Sequence, residues 1–148
     1  MTKRSPEEET FLQKSGNAAP STESFLERGV VLLVEDDRSL RRYLEVVLER
    51  AGYRVIAAAN GLEAMKLALT SAVDIVVTDA MMPNLNGYEL CRFLKNTPQL
   101  SQLPIVLLSA RERKAGSWES EQADAFLAKP VSAEDLRECV KRLLLGVK

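Results

Sequence analysis

VVLLVEDD, residues 30–37, carries five apolar residues without a break and then three acidic ones. A strand with one face in water alternates apolar and polar side chains. An unbroken run such as Val30 to Val34 is expected of a strand covered on both faces. Two further runs read the same way. Asp74-Ile75-Val76-Val77-Thr78 leads to Asp79, and Ile105 to Leu108, opened by Pro104, leads to Ser109. Arg54 to Ala58 and Ala125 to Ala128 complete a set of five short strands.

Helical patterns fill the gaps. Leu40, Tyr43, Leu44, Val47, Leu48 and Ala51 recur at helical spacing, and Gly52 stops that helix. Asn60 can cap the next helix, with Glu63 three residues on in a capping-box-like arrangement. Gly87 leads into a helix with Leu90, Cys91 and Leu94 on one face. Ser132 caps the last, whose stripe is Leu136, Cys139, Val140, Leu143 and Leu144. Strands alternating with helices predict an α/β fold, a doubly wound parallel sheet with helices on both faces. Residues 1–28, rich in Ser, Glu, Thr, Lys and Pro, read as a disordered tail or linker, and 29–148 as one domain.

Composition removes several classes of function. The 20 Lys and Arg against 21 Asp and Glu give a net charge of -1. A general binder of nucleic acid or membrane surface needs a basic excess. No apolar run approaches the ~18 residues that span a bilayer. The N-terminus lacks the apolar centre of a secretory signal. There is no histidine, so there is no Ser-His or Cys-His dyad, no imidazole ligand and no phosphohistidine carrier. Cys91 and Cys139 fall inside helical patterns and read as reduced, buried thiols of a cytosolic protein.

In an open parallel sheet the ligand site lies beyond the carboxyl ends of the strands. Those ends carry Glu35-Asp36-Asp37, Asp79, Ser109 and Lys129-Pro130. Each alone has a bland reading: an N-cap, a solvated turn, a surface charge. Their convergence on one edge does not. Clustered carboxylates repel unless a cation neutralises them. Hard oxygen ligands favour Mg²⁺ over zinc or copper. A metal so held can bridge a carboxylate and a phosphoryl oxygen. Asp79 supplies a nucleophilic oxygen, Ser109 a hydroxyl donor and Lys129 an ammonium for a phosphoryl group.

Over residues 29 to 146 the chain resembles the response-regulator receiver family. The resemblance rests on VLLVEDD, VVTDAMMP-NLNG, VLLSA and AFLAKP, with 43 residues from Asp36 to Asp79, 30 to Ser109 and 20 to Lys129. It implies a five-stranded sheet in order 2-1-3-4-5, the flavodoxin-like order of chemotaxis receivers. It also implies that Asp79 is the phospho-acceptor, and that Glu35, Asp36, Asp79 and the Met81 backbone carbonyl hold Mg²⁺. Ser109 would be the switch hydroxyl, Phe126 the switch aromatic and Lys129 the phosphate-pairing lysine. The implied partners are a histidine kinase or histidine phosphotransfer protein and an output protein or domain, with no direct nucleic-acid binding and no membrane insertion. Ser109 to Lys129 is a little short for the family, Gln122 stands where glycine is usual, and Val131 where Phe is frequent.

The alternative is a receiver-shaped interaction module that works without phosphorylation; the complete acid, hydroxyl and lysine set argues against it. True enzymes on similar folds fare worse. There is no Gly-rich phosphate loop, and strand one does not end in the DxD of a phosphoaspartate hydrolase. No DNA-binding pattern follows the last helix, so the expectation is a stand-alone receiver or one cut from a longer protein, acting in the cytoplasm. Three further expectations follow. The Lys129-Pro130 peptide is cis. The phosphoryl state is long-lived, because Met81 can orient no water and Arg111 can reach over the pocket. Residues Arg111 to Gln122 form the least stable part of the domain, with Trp118 as its packing anchor.

Overall fold

The computed structural model describes residues 28–110 and 123–146. Residues 1–27 of the tail read over 1–28, and the polar segment Arg111 to Gln122 with Trp118, lie outside the described residues. The elements run β1 (Val30–Val34), α1 (Arg38–Arg50), β2 (Arg54–Ala58), α2 (Gly61–Thr70), β3 (Ile75–Asp79) and α3 (Gly87–Lys95). A 3₁₀ turn (Pro98–Leu100), β4 (Ile105–Ser109), β5 (Ala125–Ala128) and α4 (Ala133–Leu144) follow. The strands form one sheet in order β2-β1-β3-β4-β5, with every pairing parallel. That is the expected doubly wound, flavodoxin-like order.

The apolar run of β1 has the cause inferred from it. Val31 and Leu33 enter one core with Leu44, Val47 and Leu48 of α1 and Leu136, Cys139, Val140 and Leu143 of α4. Leu32 and Val34 enter the opposite core with Ala64 and Ala68 of α2 and Leu90, Cys91 and Leu94 of α3. Successive side chains point to opposite faces, so a strand between two helical layers must be apolar at every position. Each fully buried Leu or Val stabilises the fold by about 1.5–3 kcal/mol. These two cores clamp β1, β3 and β4, and so hold their carboxyl ends rigidly.

Helix starts are set by short polar side chains. Asp37, Asn60, Asn86 and Ser132 each accept a hydrogen bond from the backbone N–H three residues on. At Asn60 the reciprocal half of the expected box is displaced: the Glu63 carboxylate accepts from Ala59 N–H at 2.8 Å. The complete capping box is at α3, where Asn86 accepts from Glu89 N–H at 2.9 Å and the Glu89 carboxylate accepts from Asn86 N–H at 2.8 Å. Gly52, at φ +100°, ends α1 in the left-handed region where glycine is favoured.

Two strands end at the residues the sequence singles out at their ends. β3 takes in Asp79 and β4 takes in Ser109. Asp74, read as the first residue of β3, stands just below it, and its carboxylate accepts from Val30 N–H at 2.8 Å. The Lys129-Pro130 peptide is cis, as expected. Among the described residues no helix is long and apolar enough to cross a membrane.

Candidate functional site

The carboxyl edge of the sheet gathers most of the residues singled out in the sequence. Asp79 is the last residue of β3, 4% exposed. Its backbone is held by Ala80 N–H donating to Leu108 O at 2.8 Å and by the Thr78 hydroxyl donating to the Asp79 carbonyl at 3.0 Å. Glu35 and Asp36 follow β1 directly, beside β3. Glu35, Asp36 and Asp79 can each place a carboxylate oxygen so that all three lie within 4.8 Å of one another.

The three acidic residues after β1 divide their work. Asp37 caps α1, its carboxylate accepting from Leu40 N–H at 3.0 Å. Its own N–H donates to Glu35 Oε2 at 3.0 Å. Glu35 is thus turned inward and buried, whereas Asp36 stays exposed. Arg41, one turn into α1, donates to the Glu35 carbonyl at 2.8 Å and ties that helix to the same corner. Arg41 and Thr78 were not anticipated. Arg41 stands in none of the quoted motifs; Thr78 stands in VVTDAMMP, but its hydroxyl's bond to the Asp79 carbonyl shows only in the structure.

Lys129 enters from the end of β5, where its N–H donates to Ser109 O at 2.9 Å. Its ammonium is 3.0 Å from Asp79 Oδ1 and 3.5 Å from Glu35 Oε1. The first is a charge-assisted hydrogen bond. The second is an ion pair too long for a good hydrogen bond, and Glu35 Oε1, buried, has no hydrogen-bond partner among the described residues. Burial, then the charges of Asp79 and Asp36, push the Glu35 carboxyl above its ordinary 4.5; Asp37 N–H and Lys129 oppose this without reversing it. Burial alone would lower the Lys129 pKa, but contact with Asp79 and then Glu35 raises it above 10.5.

Ser109 ends β4, buried, one residue beyond the strand partner of Asp79. Met81 donates its N–H to Asp79 Oδ1 at 3.4 Å, while its side chain is 52% exposed. Phe126 pairs in register with Leu107 and packs, partly buried, against the core beneath α2 and α3.

Three carboxylates against one ammonium leave the corner with excess negative charge. A buried carboxylate oxygen without a donor, beside two more carboxylates, suits a hard divalent cation held through oxygen. The donor set therefore fits Mg²⁺.

A parallel sheet in this order, with clustered acids and a lysine at its carboxyl edge, defines a receiver-type α/β domain. Residues 31–141 match the response regulator receiver domain, and the chain belongs to that family. It is 42% identical over 118 residues to the response regulator MprA of a Mycobacterium species, covering 77% of this chain and 50% of that protein. The chain spans about half the length of the curated relatives it matches. Among solved structures it is similar to the signal receiver domain of a signal transduction histidine kinase from Syntrophus aciditrophicus, at TM-score 0.72 and 35% identity, covering 81% of this chain and 92% of that one. It is also similar to the response regulator TrrA of Thermotoga maritima, solved with Mg²⁺ and BeF, at TM-score 0.71 and 30% identity, covering 77% and 97%.

Proposed function

We propose that Asp79 accepts a phosphoryl group from a histidine kinase or a histidine phosphotransfer protein, and that the modified domain engages an output protein or domain. The observation that carries this reading is the seating of Asp79: buried at the end of β3, 3.0 Å from the Lys129 ammonium and grouped with Glu35 and Asp36. An oxygen of Asp79 forms a bond to phosphorus as the P–N bond of the donor phosphohistidine breaks. The electron pair leaves on the imidazole nitrogen. Lys129, already on Asp79, pairs with a phosphoryl oxygen, and Ser109 donates its hydroxyl to another. Glu35, Asp36, Asp79 and the Met81 carbonyl would hold Mg²⁺, which when bound neutralises charge between the carboxylates and the incoming phosphoryl group.

The domain assists its own phosphorylation and acts on no separate substrate. Mg²⁺-bound TrrA supports the metal reading, and the response regulators among its relatives support the partner reading. Such a phosphorelay partner works in the cytoplasm. The phosphoryl state is long-lived, because Met81, two residues past the acceptor, offers no polar group to orient attacking water. Ser109 and Phe126 are the positions through which the added charge, about −1.5 to −2, biases the output surface.

Incubation with a small-molecule phosphodonor and Mg²⁺, followed by intact mass, tests the central claim. Wild type should gain one phosphoryl group and Asp79→Asn none, since an amide is a poor nucleophile of nearly the same shape. Equal gain by the variant would place the acceptor elsewhere. No gain by either protein would favour the phosphorylation-independent module. Asp36→Ala should weaken Mg²⁺ binding in a direct titration, because one carboxylate ligand is lost.

A further inference from the structure

At the end of the sheet opposite Asp79, the C-terminus of α1 and the exposed side of α4 border a recess of about 410 Å³. Arg28, Arg50, Arg137 and Lys141 line it, with Glu138 the one carboxylate and Ala51 and Tyr53 between. The four cations are exposed, and among the described residues none is in an ion pair. Stability alone does not account for the set. Arg50 suits the C-terminal dipole of α1. Arg137 and Lys141, however, stand four apart on α4, where like charges repel and destabilise the helix. Gathering Arg28 and Arg50 against them adds to the repulsion. Four cations and one carboxylate leave a net charge of three positive units with no described anion to match them.

A matching anion lies in the same chain. Glu7-Glu8-Glu9 is an uninterrupted acidic run, and 18 residues separate Glu9 from Arg28, which itself lines the recess. As a random coil, 18 residues would span about 23 Å on average, roughly 5–6 Å times the square root of the residue number. The run is therefore tethered at the rim of the recess, at an effective concentration on the order of millimolar.

We propose that this recess is the docking site for Glu7-Glu8-Glu9, an intramolecular electrostatic latch at the amino-terminal edge of the sheet. Guanidinium forks pair carboxylates in two-point fashion, which suits Arg28, Arg50 and Arg137. The latch is remote from Asp79 and independent of its phosphorylation.

A nitroxide spin label on Ser5→Cys of the full chain tests it. Cys91 and Cys139 are buried, and the Cys91 thiol is pushed up to about 12, so the label goes to position 5. The label should selectively broaden the amide signals of Arg50, Ala51, Arg137 and Lys141. That broadening should vanish at ~1 M salt, where the screening length is about 3 Å. It should also vanish in E7Q/E8Q/E9Q and in R137E/K141E, while phosphoryl uptake by Asp79 stays unchanged in both. Broadening that is absent from the recess, or that survives E7Q/E8Q/E9Q, overturns the proposal. Broadening seen only when labelled chains are mixed with unlabelled, isotope-enriched ones assigns the recess to a second copy, and overturns it too.

Discussion

Glu35 is the residue at which stability and chemistry pull apart. It is 1% exposed, one of its oxygens lacks a hydrogen-bond donor, and two carboxylates stand beside it. An amide at this position carries no charge and can donate to those neighbours. In magnesium-free buffer Glu35→Gln should therefore stabilise the domain by about 1 kcal/mol, the scale set by one unsatisfied buried polar group. The pH dependence follows from the sign of the shift. The folded-state pKa of Glu35 lies above the ordinary 4.5, so the folded protein holds this proton more tightly than the unfolded chain does. Its contribution to stability is fully present below 4.5 and is lost as pH rises through the raised value. The advantage of Glu35→Gln should be small below pH 4.5 and grow above it. Urea titrations at several pH values, with chelator present, would show this; an advantage independent of pH would mean that charge is not its cause. Lys129 behaves with the same sign in a different window. Its folded pKa lies above 10.5, so its pairing stabilises the fold at neutral pH and is lost only at strongly alkaline pH.

Helix α3 shows how an element sets the acceptor's position. Gly87 begins it, and a Cβ there would run into the Asp79 carbonyl oxygen, the Ala80 Cα and a Leu107 methyl. Space is the constraint at this glycine, since its backbone is not in the left-handed region. Alanine is the better helix former by about 1 kcal/mol, so propensity alone predicts that Gly87→Ala stabilises. The clash predicts the reverse: overpacking against backbone costs about 1–3 kcal/mol and pushes α3 away from the acceptor. Urea denaturation decides between them, and a more stable Gly87→Ala would mean that α3 can shift freely. This closeness was not legible in the sequence, which marks Gly87 only as a helix start. What was legible follows from periodicity. β1, β3 and β4 announce burial on both faces by lacking alternation, and α1 and α4 announce one buried face by their stripes. Those elements fix the carboxyl edge, so Glu35, Asp36, Asp79 and Ser109 could be assigned to one corner from the sequence, and Lys129 joined them through the short run Ala125 to Ala128 that reads as β5. Capping was read less well. The Asn86 and Glu89 box follows a loop with no apolar period to flag it, and the Asn60 and Glu63 pair matches the pattern while bonding one residue away. Phe126 matched by position, but its packing depends on which face β5 turns to α3, and spacing does not reveal that.

Across the whole molecule, near-neutral composition hides a separation of charge. The net charge is -1, yet Glu35, Asp36 and Asp79 crowd one edge of the sheet while Arg28, Arg50, Arg137 and Lys141 gather at the other. The acidic edge is the costlier of the two, because Glu35 and Asp79 are buried and cannot relieve repulsion by turning into water. It also lies on β1 and β3, the adjacent central strands that both cores clamp. Repulsion between these strand ends thus opposes the cooperative folding of the whole sheet, not of one loop. A cation that binds only the assembled corner must offset that cost for the entire domain. Ligand bound to the native state alone stabilises by about 2.7 kcal/mol at a hundred times its dissociation constant. For a domain of this size that raises the melting temperature by several degrees, at about 2–8 °C per kcal/mol. Saturating Mg²⁺ should therefore raise the melting temperature of wild type, and chelator should return it to the starting value. Asp36→Ala should gain less from the same Mg²⁺ concentration than wild type, since it removes one ligand but leaves both cores whole. Glu35→Gln should begin higher than wild type and gain less. Differential scanning calorimetry of the three proteins separates these outcomes. A wild type whose melting temperature ignores Mg²⁺ would mean that Lys129 alone already neutralises the corner, and would remove the metal from the site.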